Sequence, residues 1–411
     1  MTATTVNAGV LTSGDITQLG YVSLANFLKN KPIDQISQQR PLLKALMAKK
    51  KPWGGGVGGT GGKMIVEQIR DSYGATKFKW FGDSGTNLSD TVSYANKDTI
   101  RQVYYPWNSA HDGFQFSEDF LIGNGILISD SGSTRNSSDA SLVQLTNIFN
   151  EAMETLRLGF EEKLDVSLHC DGFNTIGETP TASSTINGLD FIVPLHGAAG
   201  TCGGLNRATA VSASGVYYWR NQYDNGLGLN TAGAPVPYAH ASLLKAMGNM
   251  WRQCQKNGGS PNLILAGTDF IAGYELAAKA SGGLSRYAVQ PGSMSSPWHL
   301  DPSVEIKDGG TFTGLFFQGV PIFWDPTFDD AQAIDSGKSN NSATYDTAWT
   351  KRCYMLNTNH LSLRPIEGND MVARKPPREH TRYEYYWGLT WRGALTANRL
   401  NCHGVISASG A

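Results

Sequence analysis

The chain has 411 residues, a formal net charge of −1 and a hydrophobic share of 40%. That length holds two or three domains of about 150 residues each, and the near-neutral charge excludes a chain built throughout to bind a polyanion. With 47 glycines, 10% aromatic residues and only 17% charged residues, extended β structure and long loops are favoured over helical bundles.

Residues 1–62 read as an arm. Within it, 21–30 is weakly amphipathic, and 38–51 carries a short apolar run ending in Lys49-Lys50-Lys51. From Lys29 to Lys51 there are seven Lys or Arg and one Asp. This cluster reads equally as a solvated face or as a contact for a polyanion or an acidic neighbour.

Seven glycines then crowd into the nine positions from Gly54 to Gly62, before Lys63. Gly56, Gly58 and Gly61 match GxGxxG, but a dinucleotide site needs a strand before the run and a helix after it. Here Lys49-Lys50-Lys51-Pro52 precedes it and the β-rich Met64–Ile69 follows. A phosphate loop ending at Gly62-Lys63 would start with glycine at Val57 and place Ser or Thr at Met64. The run is therefore expected to be a flexible junction.

Residues 63–117 suggest one long two-stranded excursion. Lys63–Ile69 leads out, 77–81 continues, a polar stretch 82–96 forms the tip, and Thr99–Trp107 returns. Such a hairpin buries little of its own surface and needs another body to lie on. The clearest helix follows over 142–168, with Leu142, Leu145, Phe149, Met153, Leu156, Phe160 and Leu164 at i, i+3/i+4 spacing. At about 1.5 Å per residue it makes a rod of roughly 40 Å.

In 173–351 a helix is expected over 241–256, closed by Asn257-Gly258. An apolar strand 262–266, a second helix 270–280 and strands 312–317 and 320–324 follow, which together indicate an α+β domain. The remainder returns to β pattern in 353–366 and in the segment through 391–407, across a basic join containing Pro376 and Pro377.

The search for chemistry yields no catalytic, cofactor-binding or metal residues. The eight histidines form no HExxH pair, and there is no GxSxG elbow. His169-Cys170-Asp171 contains ligand types but no partner cluster. Asp325, Asp329 and Asp330 beside Trp324 raise a carbohydrate-cleaving reading, although acidic pairs in loops are common. Five separated cysteines without CxxC fit a reducing compartment. No segment approaches the ~20 apolar residues of a membrane span. The first twenty residues lack the basic and apolar regions of a signal peptide, so synthesis in the cytoplasm is expected. A loose arm, a hairpin of marginal stability and a long rod gain stability when copies pack together, which argues for a subunit of an assembly rather than an enzyme.

In this order the parts resemble the major capsid protein of tailed bacteriophages, with the Hong Kong 97-like fold. The resemblance rests on Gly61–Ile69 with Thr99–Trp107, His111–Ile122 leading to the long helix, Pro261–Lys279, and the pair 353–366 and 391–407. It implies an α+β chain with an N-terminal arm (1–62) and an extended loop (63–117) lying over a neighbouring subunit. It further implies a peripheral domain (118–172 and 352–411) with spine helix 142–168, and an axial domain (173–351) at the centre of hexamers and pentamers. Such subunits close an icosahedral shell around double-stranded DNA, with non-specific DNA contact and with scaffolding and portal partners. The implied location is the virion, after assembly in the cytoplasm of the bacterial host. Some relatives cross-link a loop lysine to a neighbour; Lys63, Lys77, Lys79 and Lys97 lie in this loop without an identifiable partner. An encapsulin-like cellular compartment is the alternative, and a phage-associated carbohydrate-cleaving enzyme is the less favoured one.

Overall fold

Leu263–Ala266 is apolar at every position, a pattern that suits a strand covered on both faces. In the structure, a computed structural model, these four residues are all buried and form the third strand of a six-stranded sheet. The structure describes residues 38–54, 64–73, 99–123, 139–172, 312–329, 349–374 and 384–407, residues 186–280 with short gaps, and the single residues Tyr94 and Asn96. The arm 1–37, most of the glycine run, the proposed strand 77–81 and the four loop lysines lie outside the described residues.

The chain divides into two units. The larger comprises 39–109, 163–370 and 392–411, and the smaller comprises 1–38, 110–162 and 371–391.

The six-stranded sheet belongs to the larger unit. Its order is Phe312–Phe317, Val320–Trp324, Leu263–Ala266, Arg352–Leu356, Gly404–Ser407 and Gln222–Asp224. Leu263–Ala266 runs parallel to Val320–Trp324 and antiparallel to Arg352–Leu356. Side chains alternate across the sheet, so Ile264, Ala266, Cys353, Met355 and Ile406 share one face. They join one apolar cluster with Met247, Met250 and Cys254 of the helix His240–Lys256 and with Phe270 and Tyr274 of the helix Thr268–Ala280. The register rows Leu265, Tyr354 and Val405 face the other way and are equally buried.

Gly404 is where the first of these helices approaches most closely. A Cβ there would stand 2.7 Å from Met250 Sδ and 3.1 Å from Cys254 Sγ. Glycine lets helix and strand meet without an intervening side chain.

Of the ribbon expected over 63–117, the base is present as far as Pro106, whereas Asn108–Ser117 is a separate strand that pairs with Glu384–Ala397. Met64–Arg70 pairs antiparallel with Ile100–Pro106 along its whole length. Ile65, Ile69, Val103 and Tyr105 are buried, whereas Met64, Val66, Ile100 and Tyr104 are exposed. Tyr105 Oη donates to Ala397 O at 2.8 Å. Glu67, on the same inward face, takes a 2.6 Å ion pair from Arg364.

The two closing segments do pair, but not as one hairpin. Arg352–Leu356 pairs with Gly404–Ser407, and Leu361–Pro365 pairs with Gly393–Ala397. The polar turn Asn357–His360 separates them and ends the strand Arg352–Leu356 of the six-stranded sheet.

The long helix spans Asp139–His169, three residues earlier and one later than the periodicity predicts. Within the smaller unit its Leu156 and Phe160 are buried. Phe149 meets Trp387 edge-on with centroids 5.1 Å apart, and Trp387 stacks on Phe114 at 5.7 Å. Phe114 stands on the strand Asn108–Ser117, which pairs with Glu384–Ala397. Among the described residues no helix is long and apolar enough to cross a membrane.

Candidate functional site

Chemistry-bearing side chains converge at the end of the long helix. Asp165 and His169 are four residues apart and therefore share a helix face. Asp325 follows the strand Val320–Trp324, where its backbone N–H donates to Ala266 O at 3.2 Å. His169 Nε2 lies 2.8 Å from Asp325 Oδ2, and His169 Nδ1 donates to the Asp165 backbone oxygen at 2.8 Å. Thr327 links the two acids: its hydroxyl donates to Asp165 Oδ2 at 2.6 Å and its backbone N–H to Asp325 Oδ1 at 3.1 Å. Phe328 closes the site edge-on to the imidazole, centroids 5.3 Å apart.

Electrostatics fix the protonation. Burial alone would lower the His169 pKa, but the carboxylates of Asp325 and Asp165 and the bonds they accept outweigh it and raise it to about 9. Burial raises the pKa of Asp165, aided by Asp325 and opposed by His169. The raised pKa favours His169 as the cation of a buried ion pair, with Nδ1 donating to the backbone and Nε2 facing Asp325. Asp165, His169 and Asp325 also have ligand atoms within 4.8 Å of one another, a grouping of the kind that can hold a metal ion.

The same geometry bears on the acidic loop. A carbohydrate-cleaving pair needs two carboxyl groups flanking a substrate. Asp325 is fully buried and committed to His169. Asp329 accepts from Thr268 Oγ1 at 3.0 Å, and Thr268 in turn accepts from Trp324 Nε1 at 3.0 Å. Asp330 lies outside the described residues. The structure therefore joins His169 to Asp325, which sequence reasoning had kept apart, and uses both in packing. The Asp165–His169 spacing was visible in the sequence; their partner 156 residues away was not.

A second buried charge lies nearby in the chain fold. The Arg352 guanidinium sits 4.2 Å from the Trp349 ring centroid, and its Nη1 is 3.2 Å from Asp190 Oδ1. Trp349 and Tyr354 each contact Phe328, with centroids 5.9 and 5.6 Å away. Both ionic clusters are thus bound through one aromatic group, and neither opens to solvent.

The ribbon leaves apolar surface exposed. Val66 lies opposite Tyr104, and Met64 lies opposite Pro106, on the outward face. Their exposures of 43%, 42% and 50% for Val66, Tyr104 and Met64 make this a contiguous apolar strip, the kind of surface that marks an interaction site.

No protein-family model and no curated protein matches the chain. Among solved structures, a chain of the Cyanophage A-1(L) capsid asymmetric unit matches with a TM-score of 0.52 at 15% identity, over 93% of this chain and 97% of that one. The capsid of Myoviridae Phage XM1 matches with a TM-score of 0.43 at 11% identity, over 98% and 100% of the two chains. Mycobacterium phage Adephagia matches with a TM-score of 0.42 at 12% identity, over 98% and 99%. Over nearly its whole length, this α+β chain shares the fold of a phage capsid chain.

Proposed function

We propose that this chain is the major capsid protein of a tailed bacteriophage, forming hexamers and pentamers of an icosahedral shell around double-stranded DNA. The observation that carries this is the agreement in fold with the cyanophage capsid chain across 93% of this chain and 97% of that one. Two features of the chain support it. The polar constellations are sealed inside the fold, where they hold elements together instead of meeting a substrate. The ribbon Met64–Arg70 with Ile100–Pro106 keeps an apolar strip outward, as expected of an extended loop that lies over a neighbouring copy.

On this reading 1–62 is the arm, 63–117 the extended loop, 118–172 with 352–411 the peripheral domain and 173–351 the axial domain. Scaffolding and portal proteins are the expected assembly partners, and the virion is the location. The test is electron microscopy of the expressed protein, alone and with its assembly partners. Uniform closed particles containing DNA are expected. A stable monomer under both conditions overturns the proposal, and particles filled with cargo protein reassign the chain to a cellular compartment.

A further inference from the structure

The larger unit carries a polar cleft of about 860 Å³ whose lining includes Arg70, Lys256, Arg399, His360, Asn398 and Tyr218. Three of these are cations. The lining carboxylate, Asp71, is engaged by Arg101 Nε at 3.1 Å. Arg70 and Lys256 are exposed, so their charges remain solvated and available. Arg399 is held in place by donating from Nη1 to Gly258 O at 3.1 Å. His360 Nδ1 sits 2.9 Å from Asn398 Oδ1. The field of these groups is felt inside the cleft: burial lowers the His360 pKa, Asn398 opposes, and Arg399 and Lys51 lower it further.

We propose that this cleft binds phosphate groups of a nucleic-acid backbone. Arg and Lys charges with amide and phenol donors are the chemistry of phosphate contact, which positions a strand without reading its sequence. A docked protein segment would instead be anchored by aromatic or aliphatic side chains, whereas this lining is mostly cations, amides, hydroxyls and an imidazole, and its Ile69 and Trp219 are buried. Tyr73, also part of the lining and 84% exposed, adds a second phenol donor for phosphate oxygens. The cleft's chemistry stands apart from the shell proposal, but packaged DNA as its natural occupant rests on that reading.

The test is binding of a short labelled DNA duplex to the full-length protein, followed by fluorescence anisotropy over a salt series. The unsubstituted protein and the double variant R70Q/K256Q are compared, and inorganic pyrophosphate serves as competitor. Both substituted residues are exposed, so folding is retained, and circular dichroism checks it. With about 0.9 counterions released per phosphate neutralised, the double variant is expected to lose about 1.8 from the log–log salt slope. Pyrophosphate is expected to displace the duplex. A variant slope equal to that of the unsubstituted protein overturns the proposal. Pyrophosphate binding without duplex binding also overturns it and leaves a free-anion site. Microscopy of the same variant reads shell formation separately: particles that form but no longer hold the duplex support the cleft, whatever the fate of the shell reading in the unsubstituted protein.

Discussion

His169 Nε2 and Asp325 Oδ2 stand 2.8 Å apart with both side chains fully buried, joining the end of the long helix to the strand end at Trp324. Removing one partner leaves a charge in the interior without compensation, which costs about 3–5 kcal/mol. D325A is therefore expected to lower the melting temperature sharply. Replacing His169 and Asp325 together with apolar residues should cost less than D325A alone, since the buried imidazolium leaves with its partner, and Asp165, whose pKa burial raises, keeps its bond from Thr327. Thermal denaturation of D325A and the double variant checks this; a double variant less stable than D325A contradicts it.

Two histidines give stability opposite pH limbs. His169 has a folded pKa raised from 6.5 to about 9, so its stabilisation is complete below the unfolded value and is lost as pH rises through about 9. His403 has its pKa lowered from 6.5 to about 3, by burial first and then by His360. Its neutral Nδ1 accepts the Asn357 N–H at 3.2 Å, so stability is lost as pH falls below 6.5. Melting temperatures across pH are expected to form a dome, with H169Q flattening the alkaline side and H403Q the acid side. Each histidine exchanges one proton, so neither limb exceeds a slope of about 1.4 kcal/mol per pH unit from its own group.

Arg352 is irreplaceable by another cation of different shape. Its planar guanidinium covers the Trp349 ring while reaching Asp190. R352M removes the cation paired with the buried Asp190 carboxylate, though the Tyr354 hydroxyl still donates to it at 3.4 Å, and is expected to cost about 3–5 kcal/mol. R352K keeps the charge but loses the stacked plane, and should fall between R352M and the unsubstituted protein. Chemical denaturation midpoints order the three.

G404A tests the closest approach between helix and sheet. The added methyl would meet Met250 Sδ at 2.7 Å, an overpacking that typically costs about 1–3 kcal/mol. Because Met250 is the obstruction, M250A should relieve part of that cost, so the double variant should be more stable than additivity predicts. Strict additivity would show that the strain lies elsewhere.

On the ribbon, V66D and Y104D place charge on the exposed strip without touching Ile65, Ile69, Val103 or Tyr105. Circular dichroism and melting temperature are expected to stay close to those of the unsubstituted protein, while particle formation is lost. Particles of normal yield from both variants would remove the strip from the assembly interface.

Elements whose signal is local were legible in the sequence. Phe312–Phe317 and Val320–Trp324 stand where the apolar runs placed them, and the helix His240–Lys256 ends at the residue before Asn257-Gly258. The Asn357–His360 turn was also readable as polar residues between apolar runs, but its consequence was not. It divides 353–366 between two sets of strand partners, a matter of pairing and not of propensity. The site shows the same limit: His169 and Asp325 each drew attention, for metal and for carbohydrate chemistry, and neither neighbourhood hinted at the other.

Periodicity and glycine placement determine each helix and strand because those signals act over a few residues, through side-chain direction and backbone freedom. The β-rich character of Met64–Ile69 likewise announced a strand, but with Met64, Ile65 and Val66 all apolar the sequence did not say which face is buried. Only the tertiary structure decided that Val320–Trp324 lies parallel to Leu263–Ala266, that two carboxylates raise the His169 pKa, and that Asp325 is sealed from solvent. Those outcomes depend on which distant segments meet and exclude water, and a linear reading carries no measure of distance in space.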